Sequence, residues 1–388
     1  MNRAQATVVL ATTWPRSANK FYRPIIAEFQ NRAYQVHIVT SDGPEVSILR
    51  ECADVVHIIP MERTISPLGD VRALWAWVRL LRSVKPDLVL GGTPKAALLG
   101  LVAARMTRVP RRAYFLLGLR LEGTSGTLHH VLSAMEWLTS WSSHVIVAVS
   151  PSLAARYREL GLTAGRPIEV PNHGSSHGVD SRHFSPVPRD RSFIGDLAMD
   201  ADVPIVLFSG RLTADKGPDA LMGALDLLRS EGVSLQLLVL GAQDEQDSMR
   251  YRRRLEASPT PVRVLGSVTD VRPYIAAADF LVLPTRREGM PNVVLEAAAM
   301  GVPCVTTTAT GAVDSVMDGE TGILVPPDDP RSLATAMRRL LTDPELRQRM
   351  GESARARAVK LFEPDDITKA VVDLAMSQRT GQPSGQVQ

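Results

Sequence analysis

Glu288 and Glu296 stand on either side of the segment Gly289-Met290-Pro291-Asn292, within the stretch LVLPTRREGMPNVVLEAAAMG. Phe280 to Leu283 is an apolar run that reads as a buried strand end. After the turn, VVLEAAAM is rich in helix formers, and Pro291 and Asn292 suit its first positions. Glu288 then precedes a helix N-terminus, and Glu296 lies just over one turn inside it. The free amides of such a terminus favour an anion such as phosphate. Gly289 lets the backbone approach a ligand closely. Two carboxylates would repel a bare phosphate, so they must read something else, and sugar hydroxyls are the natural candidates. The alternative is a capped helix with both glutamates solvated.

A second cluster points to the other half of such a ligand. Ser209-Gly210-Arg211-Leu212 ends an apolar strand, and Asp215-Lys216-Gly217-Pro218 opens the next helix. Ligands bind at strand carboxyl ends in open α/β sheets. Arg211 offers a planar fork for bidentate phosphate contacts, and Lys216 a mobile point charge. Both are in reach of one diphosphate, unless Arg211 simply pairs with Asp215 across the loop. If this loop shares a sheet edge with Glu288–Glu296, the combination suits a diphosphate with sugars on both ends, a nucleotide-sugar.

The elements that must position these residues alternate along the chain. Strands are expected at Ala6–Ala11, Gln35–Thr40, Val55–Ile59, Asp87–Leu90, Arg112–Leu117 and Val145–Val149. Helices are expected at about Lys20–Arg32, Asp70–Val84, Lys95–Arg105 and Thr127–Trp141. Helices between apolar strands imply parallel crossovers and a doubly wound sheet. The alternation restarts with strands at Ile205–Ser209, Leu235–Gly241, Val262–Leu265, Phe280–Leu283 and Cys304–Thr306, and ends with helices Ser332–Leu341, Pro344–Ala358 and Pro364–Met376. The reading is an α/β protein of two Rossmann-like domains, residues 1–185 and 203–376, joined by a polar linker at 186–202 and followed by a disordered tail, 377–388. A cleft between the domains is the expected ligand site.

Composition narrows the class. At 388 residues, two domains are the natural division. Cys52 and Cys304 lie in apolar segments and read as reduced thiols of a cytosolic protein. No apolar run is long enough for a signal peptide or a membrane span. Net charge is +3, but residues 1–188 carry 21 Lys and Arg against 13 Asp and Glu, while the remainder carries 23 against 28. The basic first half calls for an anionic partner, and without a recognition motif for nucleic acid a membrane surface is the better fit. Arg105, Arg108, Arg111 and Arg112, with Trp75 and Trp77, would either dock an anionic bilayer or form a solvated face. Asp200-Ala201-Asp202 spells a D-x-D motif but lies in the linker, and the histidines make no zinc spacing with the cysteines. A G-x-G-x-x-G dinucleotide loop is also missing after the first strand.

The segments FSGRLTADKG, VRVLGSVTDVRPYIAAADFLVLPTRREGMPNVVLEAAAMGVPCV and GAVDSVMDGETGILVPPDDP resemble the retaining GT-B glycosyltransferases of family 4, also called glycosyl transferases group 1. In the first half, MERTISPLGDVRAL, GGTPKAALLGLVAA and AVSPSL resemble bacterial enzymes that build capsular and other surface glycans. The resemblance implies that Arg211 and Lys216 hold the donor diphosphate, with Glu288 facing the donor sugar as the third catalytic residue. It implies that Glu296 binds the ribose hydroxyls, and that Gly210, Pro291 and the amides of Gly289, Met290 and Asn292 line the donor. Val268, foremost in the loop Gly266–Asp270, should border the base. Asp314 stands where relatives usually have Glu and is taken as structural. One departure concerns the loop after the fifth strand, where many relatives place a His that reaches the donor sugar. Here Leu117 holds that position, and Gly118, Arg120 and Glu122 are the nearby residues able to form a sugar or acceptor loop.

The resemblance leads to an expectation of a metal-independent, retaining hexosyl transfer without a cofactor. The donor is a nucleotide-diphosphate-sugar, expected to be a UDP-sugar, and the acceptor a glycan, expected on a polyprenyl-diphosphate lipid at the cytoplasmic face. The alternatives are a nucleotide-sugar epimerase of similar fold, a transferase acting on a soluble acceptor, and a non-catalytic partner in a glycan assembly complex.

Overall fold

Two parallel sheets organise the chain in this computed structural model, which describes residues 5–377 apart from 63, 65, 189, 191, 198 and 243–245. The chain divides into two compact units. One holds the residues up to His177 together with those from Pro364 onwards, and the other runs from Gly178 to Glu363.

In the first unit the strands are β1 (Thr7–Ala11), β2 (Gln35–Thr40), β3 (Val55–Ile58), β4 (Leu88–Gly91), β5 (Arg111–Leu116), β6 (Val145–Ala148) and β7 (Ile168–Glu169). They form a seven-stranded parallel sheet in the order β3-β2-β1-β4-β5-β6-β7. Val8 to Leu10 and Leu88 to Leu90 are wholly inaccessible. Continuous apolar runs of this kind need helices on both faces of the sheet, as the crossovers supply.

The second unit repeats the plan with β8 (Ile205–Ser209), β9 (Gln236–Leu240), β10 (Val262–Gly266), β11 (Phe280–Leu283), β12 (Cys304–Thr307) and β13 (Gly322–Val325). Its six strands lie in the order β10-β9-β8-β11-β12-β13. Phe208, Phe280 and Leu281 belong to its core, which also takes in Met337 and Leu340 of the helix Pro330–Thr342. In each sheet the winding reverses once, between β1 and β4 and between β8 and β11. The crevice outside the carboxyl ends of such a strand pair is where an open sheet can admit a ligand.

Several expectations change in detail. The single helix expected over Lys20–Arg32 is two, Pro15–Phe21 and Arg23–Asn31, because Pro24 has no N–H to continue the ladder. Strands β7 and β13 are additional to those expected; both are short edge strands, too brief to show a clear alternation. The described residues of 186–202 are packed rather than linking. Ser192–Leu197 form a 3-10 turn, Ile194 is fully buried, and Met199 joins the second core. Polar, proline-containing composition signals irregular backbone, which is not the same as unpacked backbone. Of the expected tail, residues from Gln378 lie outside the described residues.

The helix Pro364–Met376 was expected to belong to the second domain, and the structure corrects this. It packs on the helix Arg23–Asn31 and on β5 and β6. Ile367, Val371 and Val372 are wholly buried there, and Asp373 meets Arg32 at 2.5 Å. Periodicity marks the buried face of a helix but does not name its partner sheet.

Candidate functional site

The sheet order makes β8 and β11 neighbours, so the two loops singled out by their chemistry leave from adjacent carboxyl ends. The first loop runs from Gly210 through a 3-10 turn, Ala214–Lys216, to the helix Pro218–Ser230. The second runs from Pro284 to the helix Asn292–Ala299, capped by Pro291. Pro291 therefore sits one position earlier than the helical start expected for it.

Backbone contacts bind the two loops into one assembly. The Arg286 amide and the Thr285 hydroxyl both donate to the Asp215 carbonyl, at 2.8 and 2.9 Å. Gly217 has φ +72°, and a Cβ there would lie 1.8 Å from the Pro284 carbonyl oxygen, so only glycine permits this approach. On the other side the Glu288 amide donates to Thr310 O at 2.9 Å. The next residue, Gly311, has φ +75°, and a Cβ on it would meet Glu288 O at 2.4 Å. Below the loops, the buried Asp279 accepts from the Ile205 amide at 2.8 Å and pairs with Arg347 at 3.4 Å. This ties the start of β11 to the start of β8.

Lys216 Nζ donates to Glu288 Oε1 at 2.5 Å, with both side chains largely covered. Asp215 lies 3.7 Å from Lys216 and 3.7 Å from Arg287. Burial alone would raise the Asp215 carboxyl, but Lys216, the Thr213 hydroxyl, Arg287 and Arg211 together hold it below the usual range. A carboxylate kept ionised in this way steadies the surrounding cations. Arg211 is exposed at the rim, at the loop's opening turn. Its carbonyl receives the Thr213 amide at 2.9 Å.

The remaining predicted residues of the second unit are distributed over the turn, the following helix and the sheet edge. Gly289, Met290 and Asn292 are buried at the turn and helix start, and Glu296 is half-buried four residues beyond Asn292 on the same face. Gly210 donates its amide to Leu240 O, and its own carbonyl oxygen lies 1.8 Å from where a Cβ on Gly241 would stand. Val268 follows β10 at the sheet edge, half-buried against the second core and two strands away from β8. The Asp314 carbonyl accepts from Arg357 at 2.8 Å.

Leu117, Gly118, Arg120 and Glu122 belong to the first unit and follow β5. Leu117 lies 3.4 Å from where a Cβ on Gly92 would be. Arg120 is exposed, while Glu122 meets Arg156 at 3.4 Å. Two members of the expected membrane cluster are unavailable to solvent. Trp77 is fully buried against Gly100, and Arg112 is buried, donating to Ser142 O and Val109 O at 2.7 Å each.

Sequence reasoning did not single out Asp215 as the hub of the cations, nor Arg287, Thr285 and Gly311 as parts of the site. The signal for Gly311 was present as a Thr-Gly pair shortly after an apolar strand. Nothing in the local pattern of Arg287 separates it from the exposed Arg286, which pairs with Asp328 at 2.7 Å.

Two doubly wound parallel sheets with a cation and carboxylate site at the switch point of the second define a GT-B glycosyltransferase architecture, and solved structures of that class superpose on the chain. Sucrose-phosphate synthase from Thermosynechococcus elongatus does so with a TM-score of 0.79 at 20% identity, covering 95% of this chain and 98% of that one. Anabaena HepE in complex with UDP gives a TM-score of 0.75 at 20% identity, covering 95% and 99%. Family models match as "Glycosyl transferases group 1" over residues 203–343 and "Glycosyl transferase 4-like domain" over residues 18–173. The capsular polysaccharide biosynthesis glycosyltransferase CapM of Staphylococcus aureus is 34% identical over 84% of this chain and 86% of its own length. The N,N'-diacetylbacillosaminyl-diphospho-undecaprenol alpha-1,3-N-acetylgalactosaminyltransferase of Campylobacter jejuni is 24% identical over 88% and 91%. The chain belongs to the glycosyl transferases group 1 family.

Proposed function

We propose that the chain is a retaining glycosyltransferase that moves a hexose-type sugar from a UDP-sugar to a glycan acceptor on a lipid carrier, at the cytoplasmic face of a membrane, during surface-polysaccharide assembly. The observation that carries this reading is the Lys216–Glu288 contact at the β8/β11 switch point, beside Arg211 and a helix N-terminus. Cations for a diphosphate and carboxylates for hydroxyls are side by side. The relatives support the direction, one named for capsular polysaccharide, another for a diphospho-undecaprenol sugar, and HepE solved in complex with UDP.

In this reading Arg211 and Lys216 bind the diphosphate and stabilise the charge it gains as the bond from the anomeric carbon to the phosphate oxygen breaks. The bond breaks with oxocarbenium character. The acceptor hydroxyl attacks from the face the diphosphate leaves, and its proton passes to the departing phosphate oxygen. Glu288 faces the donor sugar, Glu296 takes the ribose hydroxyls, and Val268 borders the base. Lys216 is held by Glu288 until the diphosphate competes for it. Positive charge supplied by the protein stands where a divalent ion would otherwise act, so turnover should persist after exhaustive EDTA treatment.

The test is a panel of UDP-sugars with a polyprenyl-diphosphate-linked glycan, with the product's anomeric configuration read by NMR. Transfer with retention, undiminished by EDTA, is the expected result. Interconversion of the nucleotide-sugar without any acceptor would make the chain an epimerase. Equal use of a free small-molecule acceptor would remove the lipid carrier from the reading.

A further inference from the structure

The helix Gly126–Ser142 is inverted in its polarity. It buries Glu136, Thr139, Ser140 and Ser142, yet leaves Leu128, Trp137, Leu138 and Trp141 exposed. Glu136, Thr139 and Ser140 find partners inward, since Glu136 Oε2 accepts from Tyr114 at 2.8 Å and Tyr157 at 3.1 Å, Thr139 donates to Met135 O at 2.7 Å, and Ser140 meets the Tyr157 hydroxyl at 2.8 Å. Glu136 is also the helix's single Asp, Glu, Lys or Arg, so the outward face carries no formal charge. Trp137 is 46% exposed and stacks in parallel with Trp141.

Neighbouring helices of the first unit expose further apolar groups. The helix Pro94–Met106 packs between Gly126–Ser142 and the helix Pro67–Val84. The latter exposes Leu68 and Trp75, at 78% and 58%. Apolar groups gathered over adjacent helices mark an interaction surface, unlike scattered surface leucines. Its charge is one-sided. The acids of these three helices are Asp70 and Glu136, the first tied to Lys95 at 2.7 Å and the second buried. Arg72, Arg79 and Arg82 are exposed on the first helix. Arg105 lies 3.6 Å over the Trp141 ring, and both it and Arg166 donate to the Trp141 carbonyl.

We propose that this three-helix face docks the first unit on an anionic lipid bilayer, with its tryptophans and leucines at the headgroup boundary and its arginines against lipid phosphates. Tryptophan prefers that boundary, an apolar helix face lies in its plane, and each nearby arginine adds attraction to anionic lipid. A second copy is the poorer occupant, because a two-fold contact would set these arginines near their own equivalents. The inference does not rest on the donor or acceptor assignment. Of the sequence expectation built on Arg105, Arg108, Arg111, Arg112, Trp75 and Trp77, it keeps Arg105 and Trp75 and drops Arg112 and Trp77, which are buried.

Vesicle sedimentation of the full chain tests it, using equal parts phosphatidylglycerol and phosphatidylcholine at low salt. The protein should pellet with these vesicles, shift its tryptophan emission to the blue, and stay in solution with pure phosphatidylcholine. The pair Trp137→Glu with Leu138→Glu should cut partitioning at least about tenfold, by setting charge at the apolar boundary. Arg105→Gln or Arg79→Gln should cost about fivefold each, and salt at about 0.5 M should weaken binding throughout. The double variant should keep its melting midpoint and nucleotide affinity; if its midpoint falls, Leu128→Glu at the exposed first turn carries the same comparison. A wild-type chain that stays in the supernatant with anionic vesicles overturns the proposal. So does a variant that pellets as well as wild type, or a lipid-free dimer that the variant dissociates.

Discussion

At the scale of single residues, the site's behaviour turns on which charges compete. Lys216 and Glu288 neutralise each other at 2.5 Å before any ligand arrives. Replacing Glu296 with Ala should weaken UDP binding by about 1–3 kcal/mol, the cost of leaving polar groups unpaired. Replacing Arg211 with Ala should instead depress kcat strongly with a smaller change in UDP affinity, because in the proposed reaction diphosphate charge grows as the bond breaks. Calorimetry and steady-state kinetics on the two variants separate the roles, and unchanged UDP affinity in Glu296→Ala would remove the ribose contact. A different residue governs pH dependence. Burial pushes the Glu136 carboxyl up to about 7, partly offset by the Tyr114 and Tyr157 hydroxyls. The native state then holds a proton that the unfolded chain has lost, so stability is greatest below the unfolded pKa and falls as pH rises towards 7. The loss should be on the order of 3 kcal/mol. Glu136→Gln keeps an acceptor for both tyrosines and should flatten the melting midpoint between about pH 5 and 8 relative to wild type.

At the scale of elements, the site is made by strand adjacency and by glycines that let loops touch. Gly217→Ala would drive a Cβ into the Pro284 carbonyl, 1.8 Å away, in a backbone region that alanine avoids. The loops must part, so nucleotide affinity should drop well beyond about tenfold while the far edge of the sheet stays folded. Isothermal titration beside hydrogen exchange distinguishes this local opening from global unfolding. Asp279 ties β8 to β11 from below through the Ile205 amide and Arg347. Asp279→Ala leaves a covered amide and a cation unmatched and should destabilise the second unit by about 3–5 kcal/mol in urea titration. A loss under about 1 kcal/mol would show that the tie contributes little.

At the scale of the whole molecule, the chain returns to its first unit at the end. Ile367, Val371 and Val372 cover the helix Arg23–Asn31 and strands β5 and β6. Each buried aliphatic side chain contributes about 1.5–3 kcal/mol. Truncation after Glu363 should therefore lower the melting transition of the first unit by several degrees or abolish it. The second unit should still bind UDP, provided the site lies within it. Differential scanning calorimetry and nucleotide titration of the truncated chain read both effects, and an unchanged first transition would contradict the packing. The charge division belongs to this scale too, since the basic first half holds the arginine-flanked apolar face.

Local sequence determined what local forces decide. Strand runs such as Phe280–Leu283 were legible because burial on both faces demands unbroken apolar residues, and the turn after them because Gly and Pro restrict few conformations. The spacing Glu288 to Glu296 and Arg211 to Lys216 was legible because loop and helix geometry fix reach along the chain. Tertiary structure alone decided that these loops leave adjacent strands, for strand order depends on crossovers spanning dozens of residues. It decided that Asp215 gathers Lys216 and Arg287, a contact between loops that no single window contains. It assigned helix Pro364–Met376 to strands β5 and β6, more than two hundred residues earlier, and buried Trp77 and Arg112 while exposing Trp137 and Trp141. Periodicity states that a helix has two faces; which one meets solvent depends on the surface that packs against it.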